Sequence, residues 1–259
     1  MRMMKKVLGT VTVLALSVSL LAGCGSTAVS PVSSTASTAA ESTTSSVVSE
    51  TTSAAADENA AAAAQLLNDL TGSYQELWPV ILADEYKQTW LDDCTALVGE
   101  DNAEAAFEKL SSMVTGDVYG EDAVKAYANG GGAYFCGFTN SLATLTFDGE
   151  TSTISGTDKD GNVLFSHTYH YIGLEPVHGL YEFESDDADS GEFTYFFLAP
   201  DTSAETYHIE FRYGSDAEAL SQYDAGEYAY WVASGISTDC DQTMIDNCIE
   251  LFCTENLAG

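Results

Sequence analysis

The sequence predicts a mainly β fold, an antiparallel barrel or sandwich, with helices before it and one helix closing it. Two observations carry this. The spacing of apolar residues is helical up to Gly130-Gly131-Gly132 and then changes from a period of 3.6 to a period of 2. From there, short alternating segments rich in Phe, Tyr and Thr recur between turn-forming residues until helical spacing returns near the C-terminus.

The elements follow in order. Leu66–Val80 places Tyr74, Leu77 and Trp78 at helical spacing, and Pro79 interrupts it. Glu85–Val98 carries Tyr86, Trp90, Leu91, Cys94 and Leu97 on one stripe. Asn102–Val114 is a third helix with Asn102 as cap, and Glu121–Ala128 a short fourth that ends at the glycines. Strands are predicted over Ala133–Phe138, Leu142–Phe147, Thr151–Gly156, Val163–Tyr171, Gly179–Glu184, Glu192–Leu198 and Tyr207–Tyr213. Asp148-Gly149 and Asp160-Gly161 supply tight turns between them. Ser237–Leu251 is the closing helix, capped by Thr238 or Asp239.

Ahead of these elements lie two segments of another character. Residues 1–24 read as an export signal: Arg2, Lys5 and Lys6, an apolar core over Val7–Ala22, then Leu21-Ala22-Gly23-Cys24. That tetrapeptide looks like the lipobox of bacterial lipoproteins, in which Cys24 would be lipidated, so an exported, lipid-anchored chain at the cell surface is expected. Residues 25–64 are almost entirely Ser, Thr, Ala, Val and Glu, with one Pro and no aromatic residue. Such a segment buries too little apolar surface to offset the entropy of ordering, so a disordered tether is expected. Its Ala-rich end, Asp57–Leu70, has the composition to turn helical where it meets the folded part, residues 65–259.

The formal charge is −32, and the signal carries three of the eight basic residues and no acidic one. A surface this acidic excludes nucleic acid as a partner and excludes electrostatic docking on anionic lipids; membrane contact is expected through the lipid anchor alone. It favours cations. Beyond Cys24 there are five cysteines (Cys94, Cys136, Cys240, Cys248 and Cys253) without a Cys-x-x-Cys spacing. An exported chain permits disulfides, an odd number leaves one thiol over, and the pairing cannot be read from sequence.

The stretch that bears on function is Thr206–Asp216. Tyr207, Ile209, Phe211 and Tyr213 alternate with His208, Glu210 and Arg212, so His208 and Glu210 share one face about 7 Å apart. An imidazole and a carboxylate at that spacing can meet on one zinc ion, although a half-solvated strand with an incidental His and Glu has the same pattern. No nucleophile elbow, phosphate-binding loop, His-Glu-x-x-His or dinucleotide glycine pattern occurs, and Asp92-Asp93 and Asp186-Asp187 read as solvated charge, so no enzymatic role is expected.

Three stretches in this order resemble the ZinT family of exported zinc-binding proteins, including ZinT-like domains fused to zinc-uptake lipoproteins. They are Leu70–Pro79, the pair Leu145–Leu164 with Lys159-Asp160-Gly161-Asn162, and Tyr195–Pro200 followed by His208–Asp216 and Tyr228–Trp231. The resemblance implies a lipocalin-like (calycin) barrel with helical additions, a zinc cofactor or cargo, and a zinc ABC transporter as partner. It also implies an incomplete metal site. The family's His before Ala-Pro falls on Phe196, and its His-x-His falls on His208 and Glu210. The family's disulfide is missing, because its positions fall near Thr153–Ser155 and Ser185. His170 or His178 could complete a set with His208 and Glu210 if neighbouring strands aim them into one cavity; His167 reads as a satisfied surface or core residue. The expectation is therefore a zinc or other divalent metal binder serving uptake. The alternative is a metal-free, calycin-like surface module that holds a small ligand or a partner.

Overall fold

The computed structural model describes residues 58–199 and 208–258. The expected signal, Cys24 and the tether up to residue 57 lie outside the described residues, as does Tyr207 at the start of its expected strand. Residues 58–69 are helical (α1), as the Ala-rich composition predicts, and α1 crosses the expected boundary between tether and folded part with Ala63 fully buried.

Eight antiparallel strands in sequence order close into a barrel: β1 (Gly72–Glu76), β2 (Thr144–Asp148), β3 (Thr153–Thr157), β4 (Val163–Leu174), β5 (Tyr181–Ser185), β6 (Tyr195–Leu198), β7 (His208–Gly214) and β8 (Ala233–Ser237). Closure settles barrel over sandwich and leaves no edge strand to solvent. Six of the strands answer to expected ones. The two that close the ring do not. β1 pairs with both β2 and β8, in register Tyr74↔Leu145 and Tyr74↔Ser237. Its residues have the spacing expected of a helix, but Tyr74 turns into the barrel against Phe147, with ring centroids 5.7 Å apart. The helix (α2, Leu77–Ile81) starts only after the strand ends. The expected strand Ala133–Phe138 does not form. Phe135 makes single bridges to Thr115 and Trp231, and the partner that β7 needs is β8.

Inward alternation fills the barrel with large side chains. Phe147, Phe183, Phe196, Phe211 and Tyr213 are shielded from solvent, and Phe196 stacks on Tyr213 at 5.4 Å. The register shifts at Gly156/Thr157 in the β3–β4 pair and at Tyr171/Gly173 in the β4–β5 pair. The β3–β4 turn is the expected Asp-Gly type. Gly161 adopts φ +82°, and Asp158 accepts the backbone N–H groups of Asp160 and Asn162 at 2.9 Å. Hydrogen bonds from Asn162 above all hold the Asp158 carboxyl below its usual range.

The helices α2, α3 (Lys87–Val98), α4 (Glu100–Val114) and α7 (Gln242–Leu257) pack outside the barrel with Ile236 of β8, around Trp78, Trp90, Leu110, Cys248 and Cys253. Trp90 donates its indole N–H to the Ile81 carbonyl at 2.7 Å. α5 spans Glu121–Ala128 as expected, and α6 is one turn, Ala217–Leu220. Two caps differ from expectation. Asn102 lies inside α4 and donates to the Val98 carbonyl, while α7 begins later than predicted and is capped by Asp241, whose carboxylate accepts the Met244 N–H at 3.0 Å.

Candidate functional site

On β7 the alternation is as the sequence requires. Ile209, Phe211 and Tyr213 point into the barrel core, and His208, Glu210 and Arg212 occupy the outer face. Across the strand pair, His208 stands opposite Ile236 and Glu210 opposite Ser234. α2 and α7 cover this part of the wall and leave a hollow of about 30 Å³, space for one or two water-sized groups. Its lining combines Leu77, Trp78 and Ile81 of α2, His208 and Glu210 of β7, and Cys248, Leu251, Phe252 and Glu255 of α7. Trp78 and Phe252 meet edge to face at 4.8 Å and form its apolar wall. Burial and then the Glu210 carboxylate push the Cys136 thiol above its ordinary range.

Glu255 is the residue that sequence reading missed. It lies beyond the expected end of the closing helix at Leu251. The signal for it is plain in retrospect, because Cys248, Leu251 or Phe252, and Glu255 continue the same helical stripe.

The remaining predicted ligands go elsewhere. Phe196 pairs with Tyr213 across β6 and β7 and points into the barrel, whereas His208 and Glu210 point out. The three positions implied by the resemblance therefore do not face a common point in this structure. His170 is an exposed residue of β4 whose Nδ1 lies 2.8 Å from Asp186. Its Nε2 is 4.0 Å from Glu184. His178 is not on a strand; it sits in the turn between β4 and β5. There its ring packs 3.9 Å from Tyr223 and its Nδ1 is 3.8 Å from the buried Glu175. Neither lines the hollow. His167 binds Asp187 at 2.8 Å and stacks on Phe165. Asp186 and Asp187, expected as solvated charge, each hold a histidine. Among the described residues no three His, Cys, Asp or Glu side chains are gathered closely enough to hold a metal ion as they stand.

Arg212, two residues along the same face, belongs to a separate buried group. It donates to the carbonyls of Leu220, Tyr228 (2.6 Å) and Gln222 (3.4 Å) and lies over the Tyr223 ring at 4.2 Å. Burial lowers its pKa, and the nearby Tyr223 and Glu175 act against that fall.

No family model and no curated protein matches the sequence. Solved structures similar to it include the Zn(II)-bound ZinT-like domain of Streptococcus pneumoniae AdcA, at 16% identity, with 71% of this chain and 89% of that domain covered and a TM-score of 0.45. A second is Zn(II)-bound AdcA itself, at 14% identity, with 72% of this chain and 35% of that one covered and a TM-score of 0.43. The chain thus spans about a third of that longer protein.

Proposed function

We propose that this protein captures a divalent metal ion, zinc foremost, outside the cell and passes it to an uptake transporter. The observation that carries this reading is the pairing of His208 and Glu210 on the outer face of β7, over a hollow whose helix side carries Glu255. The strand would supply the imidazole and the first carboxylate, and Glu255 of α7 would supply the third ligand. Three protein ligands plus water make an open zinc site. A mixed His/carboxylate set binds less tightly than three imidazoles and tolerates other divalent ions, which suits a carrier that must release its cargo. The excess of 40 acidic over 8 basic residues raises the local concentration of cations. The Leu-Ala-Gly-Cys24 leader and the Ser/Thr tether support a lipid-anchored position at the cell surface, and the aromatic packing of the barrel weighs against a ligand held inside it.

Zinc titration of the full chain by calorimetry tests the proposal, with His208→Ala and Glu210→Gln beside it. About one zinc per chain, weakened tenfold or more in each variant, is the expected result. No binding to the unaltered chain at neutral pH, or equal binding by His208→Ala, would overturn it.

A further inference from the structure

Cys94 of α3 and Cys253 of α7 are both 0% exposed, and their sulfurs lie 3.9 Å apart across a separation of 159 positions. The metal hollow uses neither. The five-residue step from Cys248 to Cys253 turns the helix by roughly 140°, so these two cannot pair: Cys248 faces the hollow and Cys253 faces α3. A disulfide requires its sulfurs about 2.0 Å apart, which two thiols already in contact reach by side-chain rotation with a small approach of the helices.

We propose that Cys94 and Cys253 are a disulfide site that staples α3 to α7 when the chain folds in the presence of a disulfide oxidant, either a protein thiol oxidase or a low-molecular-weight disulfide. One cysteine thiolate attacks the oxidant and forms a mixed disulfide, releasing one oxidant thiol. The second cysteine then displaces the other. One S–S bond forms as the oxidant's S–S bond breaks, two electrons pass to the oxidant, and the two thiol protons end on its two thiols. Once α7 is docked, burial pushes both thiols above their ordinary range, so thiolate is scarce and the oxidant has no path. Exchange therefore belongs to the interval before docking. The bond closes a loop that contains seven of the eight barrel strands, all but β1, and constraint of so long a loop in the unfolded chain is where the stabilisation arises. It also anchors the helix that carries Phe252 and Glu255. That last consequence rests on the metal reading; the crosslink does not.

The test is to refold the full chain in a glutathione redox buffer, alkylate it with N-ethylmaleimide in denaturant, and map the peptides by non-reducing mass spectrometry. The expected result is one linked pair, Cys94 with Cys253, with Cys24, Cys136, Cys240 and Cys248 alkylated. The oxidised protein should unfold about 10 °C above its reduced form, a difference absent in Cys94→Ala and Cys253→Ala. Alkylation of all six cysteines, or linkage of any other pair, overturns the proposal. If the alanine variants do not fold, the peptide map of the unaltered chain decides alone. Zinc plays no part in this readout, so it stands apart from the failure of the metal reading.

Discussion

At the scale of single residues, Arg212 and His208 show what one strand face can do with two kinds of burial. Arg212 is wholly enclosed, and its guanidinium plane satisfies three backbone carbonyls while resting on Tyr223. Arg212→Met leaves those carbonyls without a donor and should cost about 3 kcal/mol in urea unfolding. Arg212→Lys should recover little of that, because a single ammonium cannot span three acceptors and stack at once; a Lys variant as stable as the original would refute this account. His208 is half-buried and lines the hollow. An imidazole must be unprotonated to ligate, so zinc affinity should fall as the pH is taken below about 6 and recover on return. Affinity flat across that range would remove His208 from the site.

At the scale of elements, the docking of α1 depends on a glycine. Gly149, in the turn between β2 and β3, donates to Thr71 at 3.0 Å, and a Cβ there would lie 2.4 Å from the Asn68 Cα and 2.6 Å from the Leu67 carbonyl. These are backbone atoms that no rotamer change can move. Gly149→Ala should therefore destabilise by roughly 1–3 kcal/mol and expose the amides of residues 58–69 to hydrogen exchange while those of β4–β7 stay protected. Equal loss of protection in both would mean that α1 and the barrel open as one unit. The same segment shows why β1 escaped the sequence reading. Tyr74, Leu77 and Trp78 fit a helical stripe, yet the stripe joins a strand residue that packs inside the barrel to helix residues that pack outside it. Periodicity within a window of that length cannot separate the two cases.

Across the whole molecule, charge is the dominant feature. Asp93 on α3 is partly buried beside Glu250 and Asp246 of α7, and desolvation followed by those carboxylates raises its pKa above 3.8. Glu182 is raised above 4.5 by burial and by Glu175. A carboxyl with a folded-state pKa above its unfolded value binds more protons when folded. Stability is then lost as pH rises from the unfolded value through the folded one, and it returns on acidification into that window. The thermal midpoint should accordingly rise as the pH is lowered from 7.5 toward the ordinary carboxylate range. Salt at neutral pH should lessen this rise, and Asp93→Asn should reduce it. A midpoint that falls steadily from pH 7.5 to 5 would show that paired carboxylates outweigh these repulsive ones.

The sequence by itself determined the β meander, its turns, the helices on either side, and the face that His208 and Glu210 share, because each of these is local: a period of 2 or 3.6, an Asp-Gly turn, a run of alanines. Only the tertiary structure decided what closes the barrel, since β1 and β8 are strands by virtue of pairing with each other across more than half the chain. It also decided which way each strand's polar face looks. The parity of β6 against β7 sends Phe196 inward and His208 outward, and the docking of α7 brings Glu255 to the hollow and Cys253 to Cys94. Such contacts carry no local signature, because each is set by which distant segment arrives at a surface rather than by the residues that make it.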